Sequence, residues 1–208
     1  MAFLSDVHGN LEALDAVLLE LERRSIGDVY VAGDHLLGGE EPLEVWRRLQ
    51  AVGAHCTVGP SDEALATVDP DKLDAVNEEA RARLDRFLAT RDAIGDLVLA
   101  QLKRLPQSIR VPMVDGRELV MTHGSPADHH VEISHDLTET EVLALVQGDP
   151  ADLFLCGATH VPFDRTIDDV RIVNVGSVGD SPEGRVAHYT IVTPELQGAQ
   201  VEQAWVEY

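Results

Sequence analysis

Basic residues are scarce in this chain. Its 208 residues hold 16 lysines and arginines against 37 aspartates and glutamates, for a formal net charge of -21. A surface of that sign repels nucleic-acid backbones and anionic membranes, so neither duplex nucleic acid nor a membrane is an expected partner. A phosphate-bearing substrate would be repelled too, unless bound cations reverse the sign locally. Cysteine is nearly absent. Cys56 and Cys156 each lie in an apolar, strand-like run and form no C-x-x-C pair, which excludes a disulfide framework. Reduced, buried thiols and a cytoplasmic setting are expected. Long hydrophobic runs are missing as well. No segment reaches membrane-spanning length, and no signal peptide is visible. There is no internal repeat and no low-complexity tract. Hydrophobic residues still make up 44% of the chain, enough to bury a real core. With no dividing linker, residues 1–208 are expected to form a single domain.

The most informative stretch is Phe3-Leu4-Ser5-Asp6-Val7-His8-Gly9-Asn10. A short apolar run ends in a tight turn, and a helix with Leu11, Leu14, Val17, Leu18 and Leu21 at helical spacing follows. Asp6 and His8 therefore stand at the carboxyl end of a strand, where open α/β sheets bind ligands. An aspartate and a histidine two residues apart can converge on one metal ion. Taken alone, the stretch also reads as an Asp-rich turn with a surface histidine.

The same pattern recurs. Asp28–Ala32 reads as a buried strand closed by Gly33-Asp34, and Pro42 opens a helix. Ala54–Val58 reads as a third strand ending at Gly59-Pro60-Ser61-Asp62. Residues 71–105 read as two helices, with Gly95 a break. Asp115-Gly116 marks a hairpin between Ile109–Val114 and Leu119–Thr122, and the second strand runs into His123-Gly124. Thr138 and Glu141 make a capping box. Asp152–Cys156 reads as a buried strand ending at Gly157-Ala158-Thr159-His160. Alternation of period two marks Thr166–Val173, Arg185–Val192 and Val201–Tyr208 as antiparallel strands. The first part thus predicts a parallel α/β sheet and the second a strand-rich half. Four strand ends carry Asp6 and His8, Asp34, His123, and His160. That mixture of oxygen and nitrogen donors suits manganese, iron, zinc or nickel rather than a sulfur-rich structural zinc site.

Taken in order, the motifs D-x-H-G-N, G-D, a G-N-x-D-like turn, H-G, G-x-T-H and N-x-G-S-V-G resemble those of the calcineurin-like metallophosphoesterases. The closest likeness is to a small bacterial and archaeal branch often described as phosphodiesterases. The resemblance runs from Leu4 through Tyr208. It implies two facing mixed β-sheets flanked by helices, a four-layer α-β-β-α sandwich. It also implies a two-metal site that hydrolyses a small phosphate ester, mono- or diester, with a metal-bound hydroxide. Position by position, Asp6, His8 and His160 match ligands of the first metal, and Asp34 matches the carboxylate that bridges both. His123 matches a ligand of the second metal, or contacts phosphate. Asp34 and His123 are accordingly the expected catalytic pair. Asn174, Gly176 and Ser177 match a turn near the site.

Two ligands of the family pattern are missing. Pro60 stands where the pattern has asparagine, and Ala158 where it has histidine. Ser61 replaces a histidine that serves many relatives as leaving-group acid. The resemblance therefore implies one tight divalent transition-metal site and a second that is weak or absent. His35, Asp62, His129 and His130 are possible substitutes, weighed against plain loop or surface roles. The expected function is a metal-dependent phosphoesterase whose second metal site is incomplete. The rival is a catalytically impaired member that serves as a metal- or protein-binding module.

Overall fold

The computed structural model describes residues 1–208. The strands are β1 (Ala2–Leu4), β2 (Val29–Ala32), β3 (His55–Thr57), β4 (Ser108–Pro112), β5 (Glu118–Thr122), β6 (Leu153–Cys156), β7 (Phe163–Ile167), β8 (Val170–Asn174), β9 (Val186–Thr193) and β10 (Gln200–Glu207). The α-helices are α1 (Leu11–Arg23), α2 (Pro42–Ala51), α3 (Pro60–Thr67), α4 (Glu78–Leu102) and α5 (Glu139–Val146). The strands form two five-stranded sheets, ordered β10-β9-β1-β2-β3 and β4-β5-β6-β8-β7. Both are mixed. β1 pairs parallel with β2, and β2 with β3, while β9 joins β1 antiparallel. In the second sheet β5, β6 and β8 run parallel, and β4 and β7 close the edges antiparallel.

Side-chain alternation sorts the core into three layers. Phe3, Ala32, Leu119, Met121, Leu155, Val173 and Val192 meet between the sheets. The opposite faces of β1 and β2, with Ala2, Leu4, Val29 and Val31, pack on α1, α2 and α4 through Leu14, Val17, Trp46 and Val98. The outer face of the second sheet, with Val120, Phe154 and Ile172, packs on Val142 and Val146 of α5. A strand buried on both faces reads as an unbroken apolar run, as Ala2–Leu4 and Leu153–Cys156 do. The expected two-sheet sandwich is the fold found. Cys56 and Cys156 are free and buried. No helix is long and apolar enough to cross a membrane.

Three local expectations need correction. Thr166–Val173 is not one strand: the chain turns back at Asp168-Asp169, and Ile167 opposes Val170. A two-residue turn puts Ile167 and Val170 on the same face and so shifts the alternation by one residue; the adjacent Asp168-Asp169 marks that break. Gly59-Pro60-Ser61-Asp62 is not only a strand-ending turn, because Pro60 begins α3, a position where its fixed φ and missing N–H are favourable. Helix in the 71–105 stretch starts only at Glu78, capped by Asn77; the break at Gly95, with φ 68° and ψ 173°, is present. Leu97, in the second of the two segments, is 75% exposed.

Candidate metal centre

The parallel pairs β1–β2 and β5–β6 end at one edge of the sandwich, and the segments that leave them are bonded to each other. Asp6 N–H donates to Gly33 O at 3.1 Å, His8 N–H to Asp34 O at 3.0 Å, and Gly157 N–H to His123 O at 2.9 Å. Each strand end therefore braces its neighbour. The 174–179 turn supports the first of them: Ser177 Oγ donates to Asp6 O at 2.9 Å, and Gly179 N–H to the same oxygen at 2.9 Å.

Four of the five residues expected to bind metal hold left-handed backbone: Asp6 (φ 55°), His8 (50°), Asp34 (54°) and His160 (59°). Non-glycine residues seldom do so, and such strain, of order 1–3 kcal/mol each, concentrates at functional sites. Glycine is required where backbone crowds the carboxylates. A Cβ at Gly59 would collide with the backbone nitrogen and carboxylate of Asp34, and one at Gly157 with Ser5 and Asp6.

The three histidines share one arrangement. Nδ1 lies 2.7 Å from Leu37 O in His8, 2.6 Å from Ala32 O in His123 and 2.8 Å from Asp180 O in His160. A carbonyl only accepts, so each Nδ1 carries the proton, and a neutral ring then presents the lone pair of Nε2. All three Nε2 atoms face Asp6 Oδ1, at 3.6 Å from His8, 3.2 Å from His160 and 4.0 Å from His123. That oxygen is fully buried and has no hydrogen-bond partner. The Nε2 atoms of His8 and His160 are also only 3.2 Å apart, which two facing lone pairs do not tolerate without a proton or cation between them. Burial alone would lower the His8 pKa, but the adjacent Asp6 carboxylate outweighs it and holds it at about 9, so in the metal-free protein the ring carries a second proton that a bound cation would displace from Nε2. Burial would raise the Asp6 carboxyl, but the crowded His160, His8 and His123 rings outweigh it and hold the carboxyl well below the usual carboxylate range.

The ligand atoms form two groups, each contained within 4.8 Å: Asp6, His8 and His160, and Asp6, Asp34 and His123. All five expected residues thus meet at one edge. Asp6, rather than Asp34, is common to both groups. An orphaned buried carboxylate oxygen ringed by imidazole lone pairs, with each ring fixed through its far nitrogen, is a donor set that fits divalent cations.

The proposed substitutes fall elsewhere. His35 Nε2 sits 3.0 Å from Thr57 O, and the ring is buried beside Trp46. Asp62 serves the backbone: its carboxylate accepts from Asp34 N–H (2.8 Å), His35 N–H (3.1 Å) and Gly59 N–H (3.1 Å). Burial raises its pKa against the opposing influence of His35. This positioning role was not legible, although an acid two residues after Pro60 is a helix-start signal. Ser61 N–H donates to Asp34 Oδ1 at 3.0 Å. His129 and His130 turn to Glu63, a residue the sequence did not single out.

Two mixed sheets between helices, with aspartates and histidines gathered at the parallel strand ends, define an α/β sandwich with a candidate metal centre at one edge. Residues 1–197 match the calcineurin-like phosphoesterase superfamily domain, and the chain belongs to that family. It is similar to an uncharacterised protein of Methanocaldococcus jannaschii, 27% identical over 224 residues that cover all of this chain and 87% of that protein. Among solved structures, a metallophosphoesterase from Sphaerobacter thermophilus is 25% identical with a TM-score of 0.79, covering 100% of this chain and 87% of that one. A hypothetical protein from Pyrococcus horikoshii shares the fold at 23% identity and a TM-score of 0.86, with coverage of 100% and 88%.

Proposed function

We propose that the chain is a metal-dependent hydrolase of small phosphate esters. Asp6, His8 and His160 would hold one divalent transition metal (manganese, iron, zinc or nickel), and Asp6, Asp34 and His123 a second, weaker one. The observation that carries this reading is the convergence of three Nε2 atoms on the unpartnered Asp6 Oδ1, with every Nδ1 held by a backbone carbonyl. Bound divalent ions would supply Lewis acidity toward the phosphoryl oxygens and an acidified water.

The chain's own residues supply orientation and charge. The carbonyls of Leu37, Ala32 and Asp180 fix the three rings; the Asp62 carboxylate accepts from Asp34 N–H, and Ser61 N–H donates to the Asp34 carboxylate. A cleft of about 430 Å³ opens beside His8, lined among others by Asn10, Gly38, Arg83 and Arg86. In a chain so short of cations, two arginines at one cleft offer an anionic ester its local attraction. Nothing in the site is placed as a strong leaving-group acid, so aryl esters should react better than alkyl esters.

The test is hydrolysis of an aryl phosphomonoester and an aryl phosphodiester with added manganese, comparing the wild type with Asp6→Asn. Turnover that requires both manganese and Asp6 supports the reading. The absence of turnover in a protein that retains metal favours a binding module instead, a role for which Pro60 and Ala158, at two ligand positions of the family pattern, are the supporting observation.

A further inference from the structure

Glu63, His129 and His130 form a third group of ligand atoms within 4.8 Å of one another, and it shares no residue with the Asp6 groups. Glu63 lies in the first turn of α3. The histidines are adjacent in the loop that leaves β5 after His123. Neighbouring residues in a chain rarely aim their side chains at one point, yet here both do. His129 Nε2 is 3.0 Å and His130 Nε2 2.7 Å from the same oxygen, Glu63 Oε2. The ring centroids are 4.1 Å apart.

The loop is closed on itself in a way that fixes this aim. Ser125 N–H donates to Val131 O at 2.8 Å, and Val131 N–H to Asp128 O at 3.0 Å. Ser125 Oγ donates to Asp128 O at 3.0 Å, and His130 N–H to Asp128 Oδ1 at 2.9 Å. Gly124 lies so close to the carbonyls of His129 and Val131 that a Cβ there would strike both. The His129 side chain is 4% exposed, whereas His130 and Glu63 are open to solvent at 51% and 40%. The site therefore has one anchored ligand and an open side where water can complete a coordination shell.

We propose that Glu63, His129 and His130 are a separate divalent-cation site that clips α3 to the loop after β5. Two imidazole nitrogens and one carboxylate are a zinc-type donor set, and open positions are usual for it. Ligands at about 2.0–2.1 Å from a metal stand roughly 3.0–3.4 Å from one another, and the two Nε2–Oε2 distances of 3.0 and 2.7 Å lie close to that range. Without a cation, two rings must share one acceptor oxygen. With one, each Nε2 gives a lone pair instead, and the strongly acidic chain favours the added charge. The clip joins the two segments that set the candidate centre. Glu63 follows Ser61 and Asp62, which hold Asp34, and the histidine loop starts at His123. The proposal concerns metal retention and does not depend on hydrolysis.

The experiment uses Zn2+ alone as probe, with equilibrium dialysis and elemental analysis of the full chain. The proteins are wild type, Glu63→Gln, His130→Gln and Asp6→Asn, each checked for native circular dichroism. His130 is exposed, so its variant should fold even if changes at His129 do not. Glu63→Gln and His130→Gln should each lose one retained zinc per chain, and Asp6→Asn should keep that ion. A second reading is limited proteolysis of loop 123–131 in the Asp6→Asn background, which removes the centre that uses His123; zinc should slow cleavage at least about tenfold there and leave it unchanged once Glu63→Gln is added. Equal zinc content in wild type, Glu63→Gln and His130→Gln, or zinc protection that survives Glu63→Gln, overturns the proposal.

Discussion

Metal binding should raise the stability of this fold, and Asp6→Asn should remove most of that rise. Without a cation the fully buried Asp6 Oδ1 has no partner, and the Nε2 atoms of His8 and His160 face each other at 3.2 Å. Asp6, His8, Asp34 and His160 also hold left-handed backbone, at about 1–3 kcal/mol each. A cation that binds the folded chain alone stabilises it by RT ln(1 + [L]/Kd), about 2.7 kcal/mol at a hundredfold excess over Kd. A chain of this length shifts its Tm by about 2–4 °C per kcal/mol. Saturating manganese or zinc should therefore raise Tm by roughly 5–11 °C over the chelator-treated protein. In Asp6→Asn the amide oxygen can still accept from Ala158 N–H, as Asp6 Oδ2 does at 3.2 Å, and the amide N–H groups can donate to the Nε2 lone pairs. The variant should thus fold, with a manganese-induced rise below about 3 °C, in proportion to the lost binding term. Differential scanning calorimetry with and without metal reads both values. Any zinc-induced rise that remains belongs to Glu63 and should vanish on adding Glu63→Gln. No rise in the wild type, or an equal rise in Asp6→Asn, refutes the reasoning.

Restoring the missing pattern residues with Pro60→Asn and Ala158→His should raise manganese-supported turnover of an aryl ester by roughly ten- to a thousandfold. Pro60 at the helix start gives up only about 0.4–1 kcal/mol of rigidity, and left-handed backbone such as Ala158 has, at φ 65°, accepts histidine; steady-state kinetics and metal content check the pair, and two bound ions without turnover would count against an enzyme. Gly59→Ala should drive a Cβ into Asp34 and lower turnover by about a hundredfold, the order expected for a misplacement of about 1 Å; unchanged kinetics would show that this close approach is dispensable. Burial pushes the Cys56 and Cys156 thiols up to about 12, so both stay protonated at pH 8. Alkylation by iodoacetamide should then be slow in the native protein and fast in denaturant, by mass spectrometry. Because these thiols are raised in the folded state, their effect on stability is absent below about pH 9, the unfolded value, and becomes destabilising as pH climbs toward 12.

The sheets were legible because buried strands leave unbroken apolar runs and their ends carry glycine, aspartate and histidine. Asp6, His8, Asp34, His123 and His160 stood out for that reason, and the fold brings all five to one edge. What their spacing does not encode is how each ring is fixed. Leu37, Ala32 and Asp180 act through backbone carbonyls, which any residue supplies, so no side-chain signal marks them. Glu63 escaped notice because its partners are 66 and 67 residues away, and a glutamate in an early helix turn reads as ordinary dipole compensation. Asp62 looked like a loop residue or a spare ligand, since only the folded turn shows three backbone N–H groups meeting on its carboxylate. The reversal at Asp168-Asp169 was legible only as a one-residue shift in phase, since Ile167 and Val170 share a face across it.

The account stands most directly on whether a cation occupies the Asp6 cluster. Crystals of the full chain soaked in manganese, with diffraction collected at the manganese edge, answer that. The expected result is an anomalous peak within bonding distance of Asp6 Oδ1, His8 Nε2 and His160 Nε2, and absent from Asp6→Asn crystals. Crystals with clear density for all three side chains and no peak between them would contradict it.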